Sequence, residues 1–282
     1  MISIAVIVTT YNRPDALAAV LEGFLKQRDS NFELLIADDG SSPDTAALLA
    51  QYKIRAPFPI KHVWQEDEGF RAAAIRNRAI AATTADYIVM IDGDCVPPLN
   101  FVASQRALAE PGWFLAGNRL MLTQAFTQQV LHQKIPIHLW RIVDWLSAYR
   151  QGYIERWMPL LRLMHLGVLR KLTPARWKGA KTCNLSVYRK DLLRVNGLDE
   201  SYHGWGLEDS DLVIRLIRAG VRHKSGRFSG ALLHLWHPEN NRSNLVQNQK
   251  RLDAVLSASH IRAVRGLDQY SPVDRSVKTE SN

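Results

Sequence analysis

The sequence predicts an α/β fold, a mostly parallel sheet with flanking helices and a basic helical insert, and three observations carry that reading. Short apolar runs alternate with helix-period patterns over the first hundred or so residues, as βαβ units require. Carboxylates and turn formers cluster where those apolar runs end. Between residues 123 and 181 the composition turns basic and aromatic, and the alternation stops.

The first strand candidate is 4–9, followed by a helix in which Leu17, Val20, Leu21, Phe24 and Leu25 recur at helical spacing, with Pro14 at its first position. Further strands are expected at 32–37, 60–64 and 87–91, separated by helices at 43–52 and 71–82, the second led in by Gly69. Beyond Asp94 a helix at 99–109 and a strand at 113–116 precede the basic stretch, which Pro136, Gly152, Pro159, Gly167 and Pro174 interrupt. A strand at 183–188, a helix at 190–195 and a turn at Gly197 follow. Leu212, Val213, Leu216 and Ile217 give another amphipathic helix, and 229–236 the last strand. The expected organisation is one domain over 1–265, divided into 1–118, the insert 119–181 and a second half 182–265, with a loose polar tail at 266–282.

A chain of 282 residues buries enough core to need no staple. Cys95 and Cys183 lie far apart with no metal-ligand spacing, which argues against a structural zinc or disulfide framework and for a reducing compartment. The opening apolar run is too short for a secretory core and no run is long enough to span a bilayer. The expected location is the cytoplasm or the inner face of the cytoplasmic membrane. Net charge is +9, yet from Thr123 to Lys181 ten Lys/Arg face only Asp144 and Glu155, so this segment carries eight of the nine charges, with four of the eight tryptophans. It reads either as a solvated basic face or as a surface for anionic lipid or glycan. No nucleic-acid module accompanies it, so no nucleic-acid partner is expected.

The most informative stretch is Asp92-Gly93-Asp94, directly after Tyr87-Ile88-Val89-Met90-Ile91. Residues i and i+2 of an extended chain share a face, so both carboxylates are expected to look at one spot, suited to Mn2+ or Mg2+; the bland alternative is a polar turn. Ligands of parallel sheets bind beyond the carboxyl ends of the strands. The first strand ends in Thr9-Thr10-Tyr11-Asn12-Arg13-Pro14 and the second in Asp38-Asp39-Gly40-Ser41. Asp38 or Asp39 would accept hydrogen bonds from a base or ribose, Tyr11 offers a flat face, and Asn12 and Ser41-Ser42 are expected to cap the following helices.

Together these motifs resemble the nucleotide-sugar half of family-2 inverting glycosyltransferases, which have the Rossmann-like GT-A fold. The resemblance implies a uridine pocket lined by Thr10, Tyr11, Asn12 and Asp39, with Asp38 a further candidate, and Asp92 toward ribose and donor sugar. It implies that Asp94 binds the metal, with Asp92 as a further candidate ligand. Gln65-Glu66-Asp67-Glu68-Gly69-Phe70-Arg71 with Arg76-Asn77-Arg78 looks like the family stretch whose basic residues, here Arg71 and Arg76, approach the donor; the alternative for Arg76 and Arg78 is a solvated helix face. Gly204-Trp205-Gly206-Leu207-Glu208-Asp209 is similar to the Trp-Gly-x-Glu-Asp segment of β-1,4-galactosyltransferases and bacterial chondroitin-type polymerases. That likeness implies Asp209 as catalytic base, Glu208, Trp205 and Gly204 at the acceptor, and a histidine from the later strand on the metal: His234 or His237, with His234 favoured as the strand-end residue.

The expected function is metal-dependent inverting transfer of a hexose or N-acetylhexosamine from a UDP-sugar to a hydroxyl of a growing surface glycan, free or lipid-linked. The carboxylates opening a helix at Glu208 and Asp209 are expected to be held ionised by its dipole, leaving Asp209 a weak base. The competing readings are a sugar nucleotidyltransferase, disfavoured because Tyr11-Asn12-Arg13-Pro14 stands where a Gly-rich phosphate loop belongs, and a non-catalytic glycan- or nucleic-acid-binding protein.

Overall fold

The computed structural model describes residues 1–238 and 241–270. The first half runs β1 (Ile4–Thr10), α1 (Pro14–Leu25), β2 (Glu33–Asp38), α2 (Pro43–Arg55), β3 (Ile60–Trp64), α3 (Ala72–Ala81) and β4 (Tyr87–Asp92). It continues through β5 (Cys95–Val96), α4 (Phe101–Leu108), β6 (Trp113–Ala116), β7 (Arg119–Met121), α5 (Gln124–Gln133) and α6 (Ile142–Arg150). The remainder is β8 (Asn184–Tyr188), α7 (Arg189–Arg194), α8 (Glu208–Arg218), β9 (Arg222–Ser225), β10 (Leu232–His234) and α9 (Leu245–Ser257).

Seven strands form one sheet in the order β3-β2-β1-β4-β8-β6-β9, in which β8 alone runs antiparallel to its neighbours. Its two faces carry separate apolar cores. Val6, Val8, Leu34 and Val89 meet α1 on one side, and Ala5, Ile7, Leu35 and Met90 meet α3 and α8 on the other. The strands therefore read as continuous apolar runs, because both faces are covered. A second sheet, β5-β10-β7, is seated at the carboxyl end of β4. Pro14 and Pro43 open α1 and α2, where the missing N–H costs nothing.

Several expectations need correction. The last strand shrinks from 229–236 to Leu232–His234 and belongs to the small sheet. The insert opens with β7, a strand of that sheet, and is α-helical only as far as Arg150, after which 3-10 turns at Met158–Leu160 and Met164–Lys171 carry it. Its tryptophans serve packing: Trp145 is buried, and Trp140 and Trp157 lie against the first core. The tail is not loose where it is described. Leu267 is buried in the second core, and Tyr270 donates to Glu200 Oε2 at 2.9 Å; the rest of the tail lies outside the described residues. Cys95 and Cys183 are both free and buried.

Candidate active site

The crevice lies at the carboxyl ends of β1, β2 and β4, closed on the far side by the start of α8 and by β10. Two loops shape one end of it. Asn12 takes a left-handed backbone (φ 46°), its N–H donates to Ser41 Oγ at 2.8 Å, and Ser42 N–H donates to Asn12 Oδ1 at 2.8 Å. Asn12 and Ser41 therefore brace the two strand-end loops against each other, and neither α1 nor α2 has the side-chain cap expected. Tyr11 is half exposed, its hydroxyl donating to Asp67 Oδ2 at 2.8 Å, while buried Thr10 Oγ1 has no hydrogen-bond partner.

The two aspartates after β2 have separate tasks. Asp38 is turned inward: Oδ1 accepts from Ser41 N–H at 2.9 Å and Oδ2 meets His62 Nε2 at 2.9 Å, which leaves it a structural brace rather than the ligand contact considered for it. Asp39 accepts from Gln65 Nε2 at 2.5 Å and from Arg71 N–H at 2.8 Å, and burial pushes its carboxyl up from the usual range. Arg71 folds back onto Glu66 O at 2.6 Å and Glu68 Oε2 at 2.5 Å, at the rim. Trp64, half exposed at the end of β3, donates Nε1–H to Ser41 O at 3.3 Å and is a wall residue that the motifs did not point to.

For Arg76 the structure excludes the alternative of a solvated helix face. Its helix is built of alanines that let α3 lie close on β1 and β2, so Arg76 is 4% exposed instead of sitting on a solvated face. The guanidinium donates to Thr9 Oγ1 (3.0 Å), Asp92 Oδ1 (3.1 Å) and Glu208 Oε1 (3.3 Å), joining the two halves of the chain through one planar fork. Three of its donor contacts are thus spent on protein, and it acts as a tie between carboxylates.

Asp92 and Asp94 do converge, but by a turn. β4 ends at Asp92, and Gly93 is pressed so close to β1 that an added Cβ would meet Thr10 Oγ1 and Thr9 O at 3.0 Å. The chain then enters the small sheet, so Asp92 answers Arg76 while Asp94 faces the histidines. His234 Nε2 and His237 Nε2 lie 3.6 and 3.3 Å from Asp94 Oδ2, so the strand-end histidine and its neighbour three residues on reach the same oxygen. Asp94, His234 and His237 offer ligand atoms within 4.8 Å of one another, as do Asp92, Asp94 and Cys95. The donor set fits a divalent ion. His234 is buried with both ring nitrogens unpartnered, and burial, reinforced by Arg119, lowers its pKa to about 3, which keeps the ring neutral with lone pair available. Burial and the charge of Asp92 push Asp94 up to about 6, so a cation there would offset a real desolvation cost.

Opposite stand Glu208 and Asp209, the first two residues of α8. The helix dipole was expected to dominate, but burial prevails. Glu208 rises to about 7 through burial and the charge of Asp209, and Asp209 is likewise raised by burial, against the pull of Arg76 and Thr182. Asp209 is therefore a stronger base than its place at a helix N-terminus suggests. Thr182 Oγ1–H donates to Asp209 Oδ1 at 2.6 Å from 27 residues away, with no sequence signal to mark it. Glu208 Oε2 is buried and unpartnered, free to accept. Trp205 sits between Gly204 (φ 69°) and Gly206 (φ 105°) with the Arg242 guanidinium 5.0 Å from its ring, so one face of the ring is already covered. Gly204 N–H donates to Phe70 O at 3.2 Å, and Asn248 of α9 donates to His203 O and Gly206 O at 3.1 Å, fixing this loop.

Fold and motifs together define a GT-A glycosyltransferase. The model of glycosyl transferase family 2 matches residues 5–193 and that of the N-terminal domain of galactosyltransferase matches 164–238, and the chain belongs to glycosyl transferase family 2. It is 28% identical over 256 residues to a validoxylamine A glucosyltransferase of Streptomyces hygroscopicus subsp. jinggangensis, spanning 88% of this chain and 60% of that one. It is 25% identical to a chondroitin synthase of Escherichia coli over 83% of this chain and 35% of the relative. The chain thus spans only part of the length of the curated relatives it matches. Among solved structures, a mannosyltransferase of Pyrobaculum calidifontis in complex with GDP-Man and Mn2+ superposes with TM-score 0.61 at 16% identity, over 89% of this chain and 64% of that one. Staphylococcus aureus TarS 1-349 in complex with UDP-GlcNAc gives 0.56 at 14%, over 95% and 69%. The fold and the family thus support glycosyl transfer from a nucleotide-sugar donor.

Proposed function

We propose that this enzyme transfers a hexose or N-acetylhexosamine from a UDP-sugar to a hydroxyl of a growing surface glycan, with inversion and with a divalent cation, manganese or magnesium. The observation that carries this reading is the fork of Arg76, which donates to Asp92 Oδ1 at 3.1 Å and to Glu208 Oε1 at 3.3 Å and so draws the opening of α8 toward the strand-end carboxylates, where Asp92 and Asp94 offer ligand atoms within 4.8 Å of each other. Asp94, His234 and His237 would hold the ion, which when bound supplies positive charge against the leaving diphosphate. The loops of Thr10, Tyr11 and Asp39 bind the uridine, braced by Asn12 and Ser41. Glu208 Oε2 accepts a hydrogen bond from the acceptor sugar, and Trp205 offers its uncovered face. Asp209 takes the proton of the attacking hydroxyl as its oxygen bonds to the anomeric carbon from the side opposite the diphosphate. Thr182 holds that carboxylate in place, and the charge of Arg76 favours its ionised form.

The test is UDP release from a panel of UDP-sugars with manganese, with and without glycan acceptors, in parallel with thermal shift. Donor turnover that chelation and Asp94→Ala both abolish supports the proposal. A chain that no UDP-sugar stabilises, and that releases no UDP, overturns the UDP-sugar donor.

A further inference from the structure

We propose that residues 156–181 form a docking surface for an anionic lipid bilayer. This segment holds seven Lys/Arg and no Asp or Glu. Within it Met158, Leu163, Val168, Leu169 and Leu172 are exposed, Val168 and Leu172 by 77% and 72%. Single exposed aliphatics are ordinary on any protein; five within fifteen residues are not. Arg156, Arg162, Arg176 and Lys178 are exposed among them, the pairing of apolar and cationic side chains that an anionic membrane interface favours.

The exposure belongs to a built platform. Arg170 is buried beneath it, donating to Ser225 O (2.9 Å), Arg227 O (2.6 Å) and Leu163 O (2.6 Å). Leu163 N–H donates to Phe228 O at 2.7 Å, and His223 N–H of β9 donates to Pro174 O at 2.8 Å. The backbone around Leu163 and Pro174 is thus moored beside β9, the edge of the sheet opposite β3.

The chemistry selects among polyanions. A charged glycan would be satisfied by the cations alone and gives the aliphatic side chains nothing to meet. Single-stranded nucleic acid wants open aromatic faces, whereas Trp157 and Trp177 pack against the two cores. A bilayer uses both kinds of side chain at once.

The experiment is co-sedimentation of the full chain with vesicles of phosphatidylcholine alone or mixed with phosphatidylglycerol, over a salt series, and it is independent of whether sugar transfer is detected. Binding is expected only to the mixed vesicles and to weaken with salt, by about fivefold for each cationic side chain lost. The pair Val168→Asp and Leu172→Asp, and separately the triple Arg156→Glu, Arg176→Glu and Lys178→Glu, should each weaken it at least about tenfold with unchanged melting temperature. Absence of binding to the mixed vesicles overturns the proposal. So does loss with the charge triple but not with the apolar pair, which marks a polyanion site. Self-association abolished by the apolar pair, without vesicle binding, would make the face an interface between copies.

Discussion

Replacing Arg76 by Met removes a cation that ties Asp92 to Glu208 while keeping the length of the side chain. The pair with Glu208, at 3.3 Å, is buried and that with Asp92, at 3.1 Å, is partly exposed, and Arg76 also lowers Asp209. Breaking a buried ion pair by deleting one partner costs about 3–5 kcal/mol, because the remaining charges stay desolvated. At about 2–4 °C per kcal/mol for a domain of this size, the melting temperature should fall by roughly 6–20 °C at neutral pH. The sign of the pH dependence follows from Glu208, whose carboxyl stands at about 7 folded against its ordinary 4.5. Its proton binds more tightly in the folded state, so protonation stabilises the fold, and that stabilisation is lost as pH rises from about 4.5 through about 7. Without Arg76 the folded value climbs further, so the deficit of the variant should be largest near about pH 8.5 and shrink toward about pH 5.5. Melting followed by far-UV circular dichroism at those two pH values decides the matter. A deficit that is absent, or that grows in acid, would refute the assignment of Arg76 as the clamp.

Asp209→Asn should leave nucleotide-sugar binding intact by calorimetry while lowering turnover by about 10²–10⁴; near-normal turnover removes Asp209 from its role. Thr182→Val, which loses the 2.6 Å bond to that carboxylate, should reduce kcat by roughly ten- to hundredfold with little change in donor KM, and Thr182→Ser should restore most of it. Because burial raises Asp209 and the base must be ionised, kcat/KM should begin to decline in acid above the range where an ordinary aspartate takes up its proton; a profile that stays flat down to that ordinary range contradicts the raised base.

Candidate residues stand out in the sequence where side-chain type and strand end coincide. Asp94 and Asp39 do so as carboxylates closing apolar runs, whereas Glu208-Asp209 stand out only through the likeness of their segment to Trp-Gly-x-Glu-Asp. What packing does to a familiar residue is not legible. Arg76 reads as a donor contact or as part of a solvated face, and neither shows that an alanine helix laid flat on the sheet will bury it among carboxylates; nothing in the residues near Asp38 tells that His62 will claim it. Polar elements were also invisible: β9 reads Arg-His-Lys-Ser, and its Lys224 is buried only because Leu108 O and Glu110 receive its ammonium at 2.9 Å. α9 was missed because only Leu252 and Val255 of its apolar residues are buried, against Ile214 of α8. Asp92 and Asp94 meet through a turn, where an extended strand was expected to bring them together.

The bond from His223 to Pro174 has a second bearing on how this polypeptide survives in a crowded solution. A parallel sheet ending in a bare ribbon invites any extended peptide to add itself on, and β9 is such a terminus. By laying residues 173–174 along it and sealing the corner with Arg170, the molecule blunts that invitation with its own chain. Trimming this stretch to simplify the protein would remove its guard against sticking to itself.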